Sequence, residues 1–220
     1  MKLDQLTIVL ATQNPNKARE IQEMLDGAYN VVSMEEMGIH DELVENGKTI
    51  EENSELKARQ LRNLLHDPNA VVMADDTGLY VDALDGAPGV FSARYAGDDV
   101  SYEQNNEKRL KELKDVKPED RTAEFKTCIT LLTPESDLIT VTGTVPGSIT
   151  ESRKGASGFG YDPLFIEKST GRTYAEMTED EKNQVSHRKE AISRIVPLLE
   201  QYSRHKTNKI LASYTIADNK

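Results

Sequence analysis

A chain of 220 residues with 37% apolar and 30% charged side chains can bury roughly 70% of its unfolded surface, so it needs neither disulfides nor a structural metal for stability. Mean hydropathy is -0.60 without a run long enough to cross a bilayer, and a single cysteine, Cys128, excludes a disulfide framework or a thiolate metal cage. The formal charge of -11 is the wrong sign for gripping long nucleic acid, although a small polyanion can bind where cations, helix N-termini or a metal reverse the potential locally.

Leu6 to Ala11 is a β-branched apolar run that predicts a buried strand. It follows Asp4 and is shorter than the apolar core of a signal peptide, and together with the lone cysteine it points to a reducing, cytoplasmic compartment. Asn14 as N-cap and Pro15 at the first helical position start a helix that reaches Leu25, with Ala18, Ile21 and Leu25 inward. An acid-rich stretch from Glu35 to Glu55 overlaps the start of a second helix, Ile50 to His66, which turns Leu56, Leu61, Leu64 and Leu65 inward. Ala70 to Ala74 is a second buried-type strand, predicted to end at Asp75-Asp76-Thr77-Gly78. After the turn-rich Asp85 to Gly89 come a helix from Ser101 to Lys114 and a hairpin of strands at Thr122 to Leu132 and Asp137 to Val145. A Gly-rich loop, Gly155 to Gly160, leads through Pro163 into a short apolar strand. A capping box at Thr178 and Glu181 opens the last helical region, and residues from Ser203 onward lack periodicity and read as a frayed or loosely docked tail. The expectation is one α/β domain over 1–202 and a tail of open role over 203–220.

Four segments carry possible chemistry. Thr12-Gln13-Asn14-Pro15-Asn16-Lys17 joins a buried strand to a helix N-terminus and can cradle a phosphate, though an ordinary capped helix accounts for the same residues. Asp75 and Asp76 can help to bind a hard divalent cation such as Mg²⁺. Adjacent strand residues face opposite ways, so Asp76 is assigned to the site and Asp75 to packing behind it, while an Asx turn is the plain alternative. Phe159-Gly160-Tyr161-Asp162 offers planar rings on a permissive loop, and equally suits a turn with two core aromatics. Lys182, His187 and Arg188 cannot converge from one unbroken helix, so a break capped by Ser186 is required; an exposed charged face is the alternative.

Together these segments resemble a known family. Thr12-x-Asn14 with Lys17, Glu52-Asn53 before Leu56-Lys-Ala-Arg59, Ala74-Asp-Asp-Thr-Gly-Leu79, Gly86 to Tyr95, Gly158-Phe-Gly-Tyr-Asp-Pro163 and Ser186-His-Arg188 look like the inosine triphosphate pyrophosphatase family, in the same order, over about residues 6–200. Thr77 stands where that family often has Ser, and Gln13 where it often has Gly or Lys. The resemblance implies a long central mixed sheet flanked by helices, two lobes with a cleft between them, and a homodimer. It also implies Mg²⁺-dependent hydrolysis of ITP, dITP and XTP to monophosphate and pyrophosphate.

Carried over residue by residue, Asp76 would be catalytic and hold Mg²⁺, with Glu52 as a further metal-associated carboxylate. Thr12 to Lys17 would hold the triphosphate with Thr77 near by; Phe159, Gly160, Tyr161 and Asp162 would line the nucleoside pocket; Lys182, His187 and Arg188 would contact base or phosphates. Such chemistry needs positioned water, neutralised phosphate charge and an electrophilic metal rather than a covalent nucleophile. A hypoxanthine O6 accepts where the adenine amino group donates, so donors at the base would favour the oxo form. The competing expectations are a Maf-like pyrophosphatase for other modified nucleotides and a non-catalytic nucleotide sensor.

Overall fold

The computed structural model describes residues 5–217, with side chains from 5 to 206. Among these residues seven strands form one sheet: β1 (Thr7–Ala11), β2 (Asn30–Ser33), β3 (Val71–Val81), β4 (Pro88–Gly89), β5 (Thr122–Leu132), β6 (Leu138–Ile149) and β7 (Phe165–Glu167). Their order is β2-β1-β3-β5-β6-β7, with β4 pairing β3 off this path. The β2-β1-β3 side is parallel and the β3-β5-β6-β7 side antiparallel, so the sheet is mixed, as the resemblance implied.

Five α-helices accompany it: α1 (Pro15–Leu25), α2 (Ile50–Leu64), α3 (Tyr102–Glu112), α4 (Glu179–Val185) and α5 (His187–Ala217). The caps read from the sequence are in place. The Asn14 side chain caps α1, and Thr178 and Glu181 form a capping box on α4; α3 has a further box, Ser101 with Gln104, that the sequence reading did not name. Ser186 adopts extended backbone angles between α4 and α5, and its Oγ accepts from the Lys189 amide at 3.1 Å. This is the required break.

Alternation along the strands sorts the core into layers. Ile8, Leu10, Val71, Met73, Ile129 and Leu131 face α1 and α5; Val9, Ala11, Val72 and Ala74 face Ala58 and Leu61 of α2. The far halves of β3, β5 and β6 pack with β7, Tyr161 and Tyr174 into a second cluster, which gives the second lobe its own core.

Three expectations are corrected. The second predicted strand does not end at Asp75; β3 runs on to Val81, because β5 supplies an antiparallel partner for every residue from Val72 to Val81. On α2 the buried stripe is Ile50, Asn53, Ser54, Lys57, Ala58 and Leu61, while Leu56 is only half-buried. The tail does not fray at Ser203: α5 continues through Pro197 to Ala217, crossing the expected boundary at 202, and the Lys206 ammonium donates to the Asn69 carbonyl at 3.2 Å. Residues 218–220 lie outside the described residues.

The first turns of α5 cross β6 at Gly143. A Cβ there would overlap the His187 carbonyl oxygen and the Ala191 amide nitrogen, so only glycine lets the helix backbone sit on the strand. The Glu190 carboxylate also accepts from the Thr144 amide. Gly143→Ala is expected to lower stability by about 1–3 kcal/mol through overpacking. An unchanged denaturant midpoint would show that the helix does not lie this close.

Candidate active site

The site starts where β1 stops. Its last pairing with β3 joins Ala11 to Ala74, after which the chain turns at Thr12 to Asn14 into α1. Thr12 Oγ1 accepts from the Asn14 amide at 3.1 Å, and Asn14 Oδ1 accepts from the amides of Asn16 at 3.0 Å and Lys17 at 3.4 Å. β3 runs on without β1, and β4 reaches it only at Leu79 and Tyr80, so a cleft opens beside Asp75, Asp76 and Thr77. Backbone carbonyls there need other donors. The Lys57 ammonium serves the Asp75 carbonyl at 2.7 Å, and Ser54 Oγ serves that of Ala74 at 3.2 Å.

The two aspartates do different work. Asp75 is 1% exposed and accepts from Lys17 Nζ at 2.7 Å, Arg188 Nε at 2.9 Å and Thr77 Oγ1 at 3.1 Å. Burial alone would raise its pKa, but Arg188 and Lys17 outweigh burial and hold the carboxyl well below the usual range. Asp76, on the opposite face of the strand, lines the cavity, and its Oδ1 meets Lys57 Nζ at 2.9 Å. Here burial prevails over Lys57 and Lys17 and raises the pKa, with Glu45 adding to the rise.

Arg188 is the hub of a buried ion network. Besides Asp75 it binds Glu20 of α1 through NH1 and Thr77 Oγ1 through NH2 at 3.1 Å. The other Glu20 oxygen accepts from Lys182 Nζ at 2.7 Å, and that ammonium also binds Asp162 Oδ2 at 2.6 Å. Burial raises the Glu20 pKa, yet Arg188 and Lys182 prevail and lower it.

The aromatic side of the cavity comes from the loop after β6. Gly158 has φ of +76°, and a Cβ there would strike the Asp162 carboxylate, which instead accepts from the Phe159 amide at 2.9 Å. Phe159, Gly160, Tyr161 and Asp162 all line the cavity, and Tyr161 OH donates to the Ser92 carbonyl at 3.0 Å. His187 also opens on the cavity, stacked on Phe125 at 4.5 Å and 9°. Burial, then Arg188 and Lys182, hold its pKa far below 6.5, so the imidazole is neutral.

Of the residues expected in the site, Thr12, Gln13, Asn14, Lys17, Asp76, Thr77, Phe159 to Asp162, His187 and Arg188 share one cavity. Pro15 and Asn16 do not line it; Asn16 gives its amide to the helix cap. Lys182 lies beneath, 4.6 Å from the Phe159 ring centre, with its charge already met by Glu20 and Asp162. Glu52 is exposed and does not line the cavity either, because its carboxylate turns back to accept from the Lys48 amide at 2.6 Å.

Glu45, rather than Glu52, lines the cavity. It lies in an irregular segment strapped by Gln60, which exchanges two 2.9 Å hydrogen bonds with the Val44 backbone. Glu45 Oε1 then meets Lys57 Nζ at 2.8 Å, beside Asp76. Two carboxylates converging on one cation site suit a hard divalent metal. Among the described residues no group of three or more His, Cys, Asp or Glu could hold a metal, so a cation here would complete its coordination with other oxygens, such as those of water or phosphate. Lys57 could have been placed in the site from its spacing with buried Asn53 and Leu61 on α2; nothing local singles out Glu45 among neighbouring acids.

Known proteins share this sequence and fold. A dITP/XTP pyrophosphatase of Bacillus subtilis is 45% identical over 193 residues, 87% of this chain and 96% of that one. One from Caldanaerobacter subterraneus subsp. tengcongensis is 45% identical over 191 residues, 86% and 94% of the two chains. Among solved structures, the Staphylococcus aureus Ham1 protein superposes with a TM-score of 0.77 at 37% identity, over 89% of this chain and 99% of that one. The model of the Ham1 family matches residues 8–198, and this chain belongs to that family.

Proposed function

We propose that this chain hydrolyses non-canonical purine nucleoside triphosphates of the ITP, dITP and XTP kind to the monophosphate and pyrophosphate, with Mg²⁺ held by Asp76 and Glu45. The observation that carries this reading is the single cavity shared by the α1 N-terminus, Asp76 and the His187-Arg188 pair. The names of the curated relatives support it. A homodimer and a cytoplasmic location belong to the same reading, on the family resemblance and on the reducing environment that a lone buried cysteine suits.

The chain's own groups divide the work. The α1 N-terminus, with Lys17 beside it, offers a local positive potential to the phosphates inside an acidic molecule. Lys57 adds a second ammonium at the carboxylate pair. When bound, a divalent cation would supply charge neutralisation and polarise the scissile phosphoanhydride. Asp76, at the edge of the cavity beside Lys57, orients the attacking water and accepts its proton at a carboxylate oxygen. At the far end, neutral His187 has one donor and one acceptor nitrogen, and Arg188 is held by Asp75, Glu20 and Thr77 at a fixed height in the wall. An amino group at the purine 6-position would leave a wall donor unpaired.

Pyrophosphate release measured with ITP, dITP, XTP, GTP and ATP, with and without Mg²⁺, tests class, metal and specificity together. The deaminated purines should react fastest and only with the metal; preference for a modified pyrimidine would favour the Maf-like reading. Asp76→Asn should lower kcat by about 10²- to 10⁴-fold while the fold is kept. Wild-type rates in that variant would remove Asp76 from the chemistry.

For the metal, Glu45→Gln should raise the Mg²⁺ concentration needed for half-maximal rate, and Glu52→Gln should not. The reverse order would return the role to Glu52.

His187 also makes stability depend on pH. Its folded pKa lies well below the 6.5 of a free imidazole, so as pH falls through that value the unfolded chain takes up a proton that the native chain refuses. The stabilising contribution is present above this value and lost below it. Denaturant midpoints should therefore fall between about pH 7.5 and 5.5, and His187→Gln should flatten the fall. An equal slope in both proteins would place the titration elsewhere.

A further inference from the structure

Tyr102 was not singled out by any motif, yet it spans the cavity mouth. It is the first residue of α3, its start fixed by the Ser101 and Gln104 capping box, and it is 38% exposed while lining the cavity. Its hydroxyl oxygen accepts from Asn14 Nδ2 at 3.1 Å, and its ring centre lies 6.1 Å from that of Phe159, tilted by 45°. One side chain thus touches the loop that faces the phosphates and the loop that faces the base. In a nucleoside triphosphate the group joining those two ends is the pentose.

The same helix is anchored to both surroundings. Asn106 Nδ2 donates to the Gly160 carbonyl at 3.0 Å, and Asn105 accepts from the Ala96 amide at 2.7 Å while donating to the Ala93 carbonyl at 3.0 Å. The Tyr102 ring is therefore carried on a rigid support rather than on a loop. Asn14 does not rely on this contact for its orientation, because its Oδ1 is already held by the amides of Asn16 and Lys17.

We propose that the Tyr102 ring forms a wall of the pentose subsite and so binds the part of the substrate that inorganic polyphosphates lack. The proposal rests on the nucleotide reading above. An aromatic ring packed on the sugar supplies apolar contact that neither the phosphate loop nor the base-facing wall provides.

The test compares wild type, Tyr102→Phe and Tyr102→Ala, using KM and kcat for ITP and the inhibition constant of inorganic tripolyphosphate. Tyr102→Ala should raise KM for ITP about fivefold to tenfold with little change in kcat, and leave the tripolyphosphate constant unchanged. Tyr102→Phe keeps the ring and should bind ITP close to wild type. Equal weakening of ITP and tripolyphosphate, a phenylalanine variant as poor as the alanine one, or an unchanged KM in Tyr102→Ala each overturns the proposal. Thermal unfolding of the variants separates these outcomes from a damaged fold. Failure of the nucleotide reading is visible earlier and separately, as a wild-type chain that turns over no nucleoside triphosphate.

Discussion

Everything in the cavity depends on the buried ion network centred on Arg188. An isolated guanidinium at 1% exposure would be prohibitively expensive to desolvate, as would Asp75 or Glu20 alone. Charges alternate in a chain: Lys17, Asp75, Arg188, Glu20, Lys182 and Asp162. The six members come from five elements, with Lys17 and Glu20 both in α1, so the network closes only when β3, α1, α4, α5 and the aromatic loop are in place together. Removing one member strands its neighbours, which in buried pairs costs about 3–5 kcal/mol. The network therefore specifies where the lobes' functional groups stand more than it adds net stability.

Strand alternation then separates structure from chemistry at adjacent residues. Asp75 points to the face covered by α1 and α5 and is consumed by the network, whereas Asp76 points toward α2 and meets Lys57 and Glu45. The two carboxyls are driven in opposite directions, one held ionised by two cations and the other raised by burial. Asp76 would be closed off from the cavity if β1 were one or two residues longer. Its early end, compensated by Lys57 and Ser54 at the exposed carbonyls, makes room for a ligand.

Local rules succeeded where the physics is local. Asn14 and Thr178 cap helices through side chains two or three residues away from the amides they serve, and Ser186 marks the break before α5 for the same reason. Carboxylates and glycine after Ala74 have the local look of a turn, while the β5 partner that overrides this preference lies some fifty residues away. Glu45 escapes a reading of the sequence for a similar reason, while Glu52 stands out. Its position in a helix is legible, but the hydrogen bond that turns its carboxylate away and the Gln60 strap that presents Glu45 are not. Lys182 was expected at the ligand, and two buried carboxylates claim it instead.

The amino-acid order by itself determined the α/β class, the helix starts, the buried strands and the residue types available for binding a small anion, because capping and apolar periodicity act over a few residues. It also carried the motifs that mark the family. Only tertiary structure decided which carboxylates face the cavity, which cations remain near a ligand and which are neutralised, and that Tyr102 bridges Asn14 and Phe159. Ion pairing and burial are set by distances between segments far apart in the chain, and those distances exist only after the sheet has closed.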